Sequence, residues 1–164
     1  MVLSMSEGRT HITDWEPPTD ILPTVEQASQ AIVMLPTSRD QHDRWMFDDE
    51  LVTLPKMAQR DGARIEFAQL GEEPQFLTQH DMGPEILMVA LALAGPINDW
   101  IIFGVQYALD HKIKQRGYDQ HSENAPQIEL DIAHLKVGRT KVKGLKIKGF
   151  KEDVIDTLRS LEDL

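Results

Sequence analysis

Near the C-terminal end of the chain, Ile128, Leu130 and Ile132 alternate with Glu129 and Asp131. That two-residue period puts apolar side chains on one face of a strand and carboxylates on the other. After a turn around Gly138, Val142, Leu145 and Ile147 are interleaved with Lys141, Lys143, Lys146 and Lys148. The apolar positions switch from even to odd at Gly144, which predicts a β-bulge or a second turn. Beyond Gly149 the period becomes helical. Val154, Ile155, Leu158 and Leu161 share one side of Lys151 to Leu161, and Glu152 and Asp153 sit in the first turn. A half-buried sheet must be covered, so this β-β-α unit predicts an α+β fold.

The covering layer is expected from the most apolar part of the chain. Pro84 suits a first helical position, and Ile86 to Ala94 is unbroken apolar sequence. Gly95-Pro96 would end that helix and begin another, running from Ile97 to about Lys114. Lys112, Lys114 and Arg116 suit the negative end of the second helix dipole. The expected architecture is a small mixed or antiparallel sheet packed against these two central helices. Ile86 to Phe103 approaches membrane-spanning length, but Pro96, Asn98 and Asp99 fall near its middle. A central Asp costs about 2.5–3.5 kcal/mol on insertion, so a buried core is favoured over a membrane segment.

Residues 1–23 read as an irregular arm, because Pro17, Pro18 and Pro23 break helices, and Trp15 would pin the arm to the body. Residues 24–164 form the expected single α+β domain. Thr24 and Gln27 have the spacing of a capping box, with Val25, Ala28, Ala31 and Ile32 following at helical spacing. Ile32 to Leu35 fits either the end of that helix or a buried strand. Asp40 to Thr53 suggests a short helix around Trp45, Met46, Phe47, Leu51 and Val52. Ala63 to Gln69 alternates as a half-buried strand, and Gly71 and Pro74 mark a loop.

Composition removes several kinds of chemistry. There is no cysteine, which excludes disulfides, thiol catalysis and cysteine-ligated zinc. The first residues lack an apolar signal segment, so the expected location is cytoplasmic. Lys136 to Lys151 holds seven basic residues and no acidic one, so removing it from the net −10 leaves −17 on the rest. Such a surface repels nucleic acid and favours a basic protein partner. The lysines themselves are read as cross-strand partners of Glu129 and Asp131.

None of the six histidines shows metal-ligand spacing, and no serine lies in a G-x-S-x-G elbow. Three have an adjacent aspartate: His42-Asp43, His80-Asp81 and Asp110-His111. A small hydrolase using such a pair, with His80 and Asp81 as its example, is therefore the catalytic alternative. Asp48-Asp49-Glu50 is the densest acidic run but lacks the calcium-loop pattern. Gly144-x4-Gly149 is followed by Phe150-Lys151 where a phosphate loop needs Lys-Ser/Thr. No cofactor or metal is expected.

The second half of the chain resembles, in layout, the effector-associated constant components of bacterial conflict systems. The residues concerned are Ala90 to Pro96, a helix beginning near Trp100 and ending in Lys112-Ile113-Lys114-Gln115-Arg116, then two strands and a terminal helix. That resemblance covers about half the chain, leaves the first sixty residues without a counterpart, and implies a non-enzymatic adaptor. Size, acidity and the lack of a catalytic motif also parallel immunity proteins of secreted bacterial toxins. The expected function is an immunity-type inhibitor of a basic toxin domain. Asp48, Asp49, Glu50, Glu72 and Glu73 would steer the partner, and Trp45 and Phe47 would anchor it. An adaptor or structural subunit docking through its apolar helices is the alternative, with the oligomeric state left open.

Overall fold

The computed structural model describes residues 5–7, 10–78, 86–93, 97–116, 126–137 and 140–162. In chain order its elements are β1 (Met5–Glu7), β2 (Thr10–Asp14), α1 (Val25–Gln30), β3 (Ile32–Met34), β4 (Ser38–Arg39) and β5 (Trp45–Asp48). Next come α2 (Leu54–Arg60), β6 (Ile65–Phe67), β7 (Phe76–Leu77), β8 (Ile86–Ala92) and α3 (Asp99–Gln115). The chain closes with β9 (Gln127–Val137), β10 (Thr140–Gly149) and α4 (Lys151–Glu162). The fold is α+β with the C-terminal β-β-α unit in place. Seven strands form a mixed sheet in the order β1-β2-β10-β9-β8-β3-β6, and β4-β5-β7 form a smaller one.

Ile86 to Ala92 corrects the helical expectation: it is a strand in the interior of the large sheet, parallel to β9 and antiparallel to β3. A strand covered on both faces needs no polar residues on either side, so its sequence shows no alternation. Leu87, Val89 and Leu91 join the core beneath the helices, while Ala90 and Ala92 join a second core on the opposite face. Of the two central helices expected, the second is α3, and α2, α3 and α4 together supply the layer that covers this face of the sheet. Asn98 caps α3, its side-chain oxygen accepting from the Ile101 N–H at 2.9 Å. Gly95-Pro96 lies outside the described residues. Among those residues no helix is long and apolar enough to cross a membrane.

Part of the N-terminal arm is regular where an irregular segment was expected. Its Thr10–Asp14 segment adds to the sheet as β2, with Ile12 opposite Ile147 of β10. The Trp15 N–H then donates to the Gly144 carbonyl at 3.2 Å. This contact explains Gly144. The β9–β10 register is the same on both sides of Lys143, Val142↔Leu135 before it and Gly144↔Ala133 and Leu145↔Ile132 after it, so the switch in apolar parity is not a bulge. A Cβ at Gly144 would sit 2.2 Å from the Trp15 carbonyl oxygen, and the glycine allows the arm to approach.

Asp40 to Thr53 also departs from expectation. It forms β5 and a 3-10 turn, Asp49–Leu51, ahead of α2. Alternation across β5 places Phe47 among Phe67 and Phe76, with ring centroids 5.0 and 6.2 Å away. Three aromatic rings in mutual contact, with Phe67 edge to face against both others, favour the strand over a helix of equal apolar content. The Thr24 cap is present, its hydroxyl oxygen accepting from the Gln27 N–H at 3.1 Å. The Gln27 side chain turns away from the helix end. It donates to the Phe67 carbonyl at 2.9 Å and accepts from the Gln69 N–H at 3.1 Å, tying α1 to the end of β6.

Candidate functional site

The acidic run Asp48-Asp49-Glu50 follows from the end of β5. Asp48 caps the 3-10 turn by accepting from the Glu50 N–H at 3.0 Å. The last two turns of α3 bring His111, Lys112 and Arg116 against it. The Lys112 ammonium contacts the Asp48 carboxylate with both side chains 1% exposed, and lies 3.6 Å from Glu50. Arg116 pairs with Glu50, and His111 reaches the Glu50 carbonyl at 3.1 Å. One ligand atom from each of the three acidic residues lies within 4.8 Å of the others, an arrangement suited to a cation. The cation among them is Lys112. Burial pulls that ammonium down to about 8, leaving it charged at neutral pH, and burial also lowers His111.

The structure therefore separates the expected partner residues into two groups. Asp48 is buried at 2% exposure and presents no surface to a partner, while Phe47, 3% exposed, belongs to the core and reaches a partner only as part of the floor of a depression. Asp49 is half-buried and accepts a hydrogen bond from the Thr78 hydroxyl, while Glu50 is engaged by α3. A signal for the Lys112 contact existed in the sequence. Lys112 is seven residues after Val105, on the same helix face as Ala108 and Leu109. Its charge suggested a helix-dipole role, whereas its position on the apolar stripe placed it inside.

Trp45, Phe47, Glu72 and Glu73 do come together, around a depression of ≈ 260 Å³. Phe47, Ala68, Leu70 and Pro74 supply its apolar lining. Gly71, with φ +86°, turns the chain so that Glu72 and Glu73 follow on the rim. Asp20 and Asp43 complete the acidic side; the sequence marked Asp43 only as a neighbour of His42, and Asp20 lies 25 residues from Trp45. The half-buried Trp45 indole donates to Asp20 at 2.7 Å. The Arg39 guanidinium stacks 4.2 Å from the Trp45 ring centre and pairs with Asp43 at 2.9 Å and Asp20 at 3.7 Å. Arg44, the one cation of the rim, is held by Asp40 at 2.9 Å. Among the described residues Glu72 and Glu73 have no ion-pair partner.

A third charged group lies on the large sheet. Lys146 and Lys148 reach Glu129 at 3.9 and 3.5 Å across the β9–β10 pair, as expected for cross-strand partners. Asp131, opposite Lys146 in register, is 4% exposed and its Oδ1 has no hydrogen-bond partner. Burial, followed by the neighbouring Glu129 carboxylate, pushes Asp131 up to about 7.

The His/Asp pairs do not assemble a catalytic centre among the described residues. Asp43 pairs with Arg39 rather than with the exposed His42, and Asp110 pairs with Lys151 while His111 faces Glu50. His80 and Asp81 lie outside the described residues. No family model, curated protein or solved structure matches the chain.

Proposed function

We propose that this chain is a non-enzymatic protein-binding domain, an immunity-type inhibitor that neutralises a basic toxin domain in the cytoplasm. The observation that carries the reading is the Trp45 depression, where an apolar floor adjoins a rim of Asp20, Asp43, Glu72 and Glu73. A half-exposed aromatic beside apolar lining supplies an anchor, and Glu72 and Glu73, which have no ion-pair partner among the described residues, supply steering. The binding surface is narrower than the acidic run implied, because Lys112 and Arg116 already neutralise Asp48 and Glu50.

The test is association with the partner captured from the source lysate at low salt. A single basic protein, released by salt and bound more slowly after Glu72→Gln with Glu73→Gln, supports the reading. A partner held through high salt and indifferent to those substitutions overturns it.

A second reading, an adaptor docking through α3, is favoured by Trp100 and Phe103, which are 39% and 46% exposed one turn apart on that helix. Under it, Phe103→Ser would release several co-purifying components and leave the chain folded. An unchanged set of components would retire it.

A further inference from the structure

We infer that the Trp45 indole, with Asp20 and Asp43, is an arginine-recognition site at the edge of the depression, and that Arg39, which lies on the ring but does not line the depression, holds that position until a partner's arginine takes its place. This rests on the partner-binding reading for the direction of approach only. The chemistry is displayed within the chain: one guanidinium lies on the indole and is paired at the same time with two carboxylates, Asp43 and Asp20. A planar, delocalised cation stacks on an aromatic face while its N–H groups reach carboxylates at the ring edge, a combination that an ammonium does not reproduce.

Arg39 is also held in a way that permits exchange. It lies directly opposite Trp45, but β4 contributes only two residue pairs to its sheet, and the Arg39 side chain is 42% exposed. Beside the indole the ≈ 260 Å³ depression has room for one long side chain, with its methylenes on Phe47 and Leu70 and its head group among carboxylates. Glu72 and Glu73, which have no ion-pair partner among the described residues, give an incoming cation what Arg39 does not already use. Specificity for arginine would come from the indole and Asp20, and attraction from the two glutamates.

The experiment is an NMR titration of the full chain with Nα-acetyl-arginine amide and, separately, Nα-acetyl-lysine amide, following the three indole N–H signals. The Trp45 signal is assigned by its loss in Trp45→Phe and independently by its displacement in Arg39→Ala, should the former variant fail to fold. Arginine amide is expected to move the Trp45 signal, leave those of Trp15 and Trp100 in place, and bind about threefold tighter than lysine amide. Arg39→Ala is expected to tighten arginine binding about threefold, the scale of one exposed stacked cation. An unmoved Trp45 signal, an equal response to lysine, or no gain in Arg39→Ala overturns the inference. A basic protein that binds with strong salt dependence while arginine amide leaves Trp45 unmoved would sink this inference alone. Arginine amide seated on Trp45, with the captured partner indifferent to Glu72→Gln and Glu73→Gln, would sink the partner reading alone.

Discussion

Lys112 meets Asp48 inside the protein, a helix cation and a strand-end carboxylate brought together with almost no exposure to solvent. Removing one member strands the other charge where water cannot reach it. Lys112→Met is expected to destabilise the chain by about 3–5 kcal/mol, and Lys112→Met with Asp48→Asn to recover much of that loss. Chemical denaturation of the wild type, both single variants and the double variant closes the cycle. A negligible cost for Lys112→Met would mean that the pair is not formed in solution.

Asp131 predicts a pH dependence of the opposite sign to that of an ordinary paired carboxylate. Its acid form is favoured in the folded chain, whose Asp131 titrates at about 7 against about 3.8 for the unfolded group. The stabilising effect of this group is complete below about pH 4 and is lost as pH rises toward and through 7. Asp131→Asn should flatten the stability profile over that window and exceed the wild type above pH 7 by up to a few kcal/mol. Thermal unfolding from pH 4 to 8 reads the difference. Parallel profiles for the two proteins would exclude Asp131 as the cause.

Gly104 and Gly144 both face close neighbours, and their costs should differ. A Cβ at Gly144 meets the Trp15 backbone carbonyl at 2.2 Å, whereas one at Gly104 meets the far end of the Ile32 side chain at 2.1 Å. Backbone yields less readily than a side-chain tip. Ala also gains about 1 kcal/mol of helix propensity over Gly at position 104. Gly144→Ala should therefore be the more destabilising substitution, and should speed hydrogen exchange at the Trp15 amide that bonds to Gly144. The reverse order of stabilities would contradict the packing of the arm.

Glu72→Gln with Glu73→Gln tests the surface without touching the core. Both residues are exposed, so stability should move by no more than about 0.5 kcal/mol. The association rate with the basic partner should fall severalfold at low salt and converge with the wild type at high salt. Stopped-flow measurement at several ionic strengths checks this, and equal rates at low salt would remove the two glutamates from the steering surface.

The parts of this fold that were legible in the sequence are those that keep one face in water. β9 and β10 alternate Ile128, Leu130, Leu145 and Ile147 with charged residues, and α4 carries a clear apolar stripe. β8 was misread because burial on both faces erases the period that distinguishes a strand from a core helix. The depression was half legible. Trp45, Phe47, Glu72 and Glu73 were named for their aromatic and acidic character, but Asp20 and Asp43 arrive through pairing that no local pattern encodes. The acidic run showed the opposite failure, since three adjacent carboxylates say nothing of a lysine more than sixty residues away on another element.

The pairing of Ile12 with Ile147 carries a consequence for how the chain is made. The first long strand of the large sheet has its neighbour in the last one, so β2 cannot take its place until β10 has emerged from the ribosome. During synthesis Ile12 has only Met5 of β1 opposite it and the Trp15 amide has no Gly144 to bond, and the edge of β10 stays open until the arm closes it. Completion of the sheet is therefore a late event, and a nascent chain released before β10 would leave β2 paired with β1 alone.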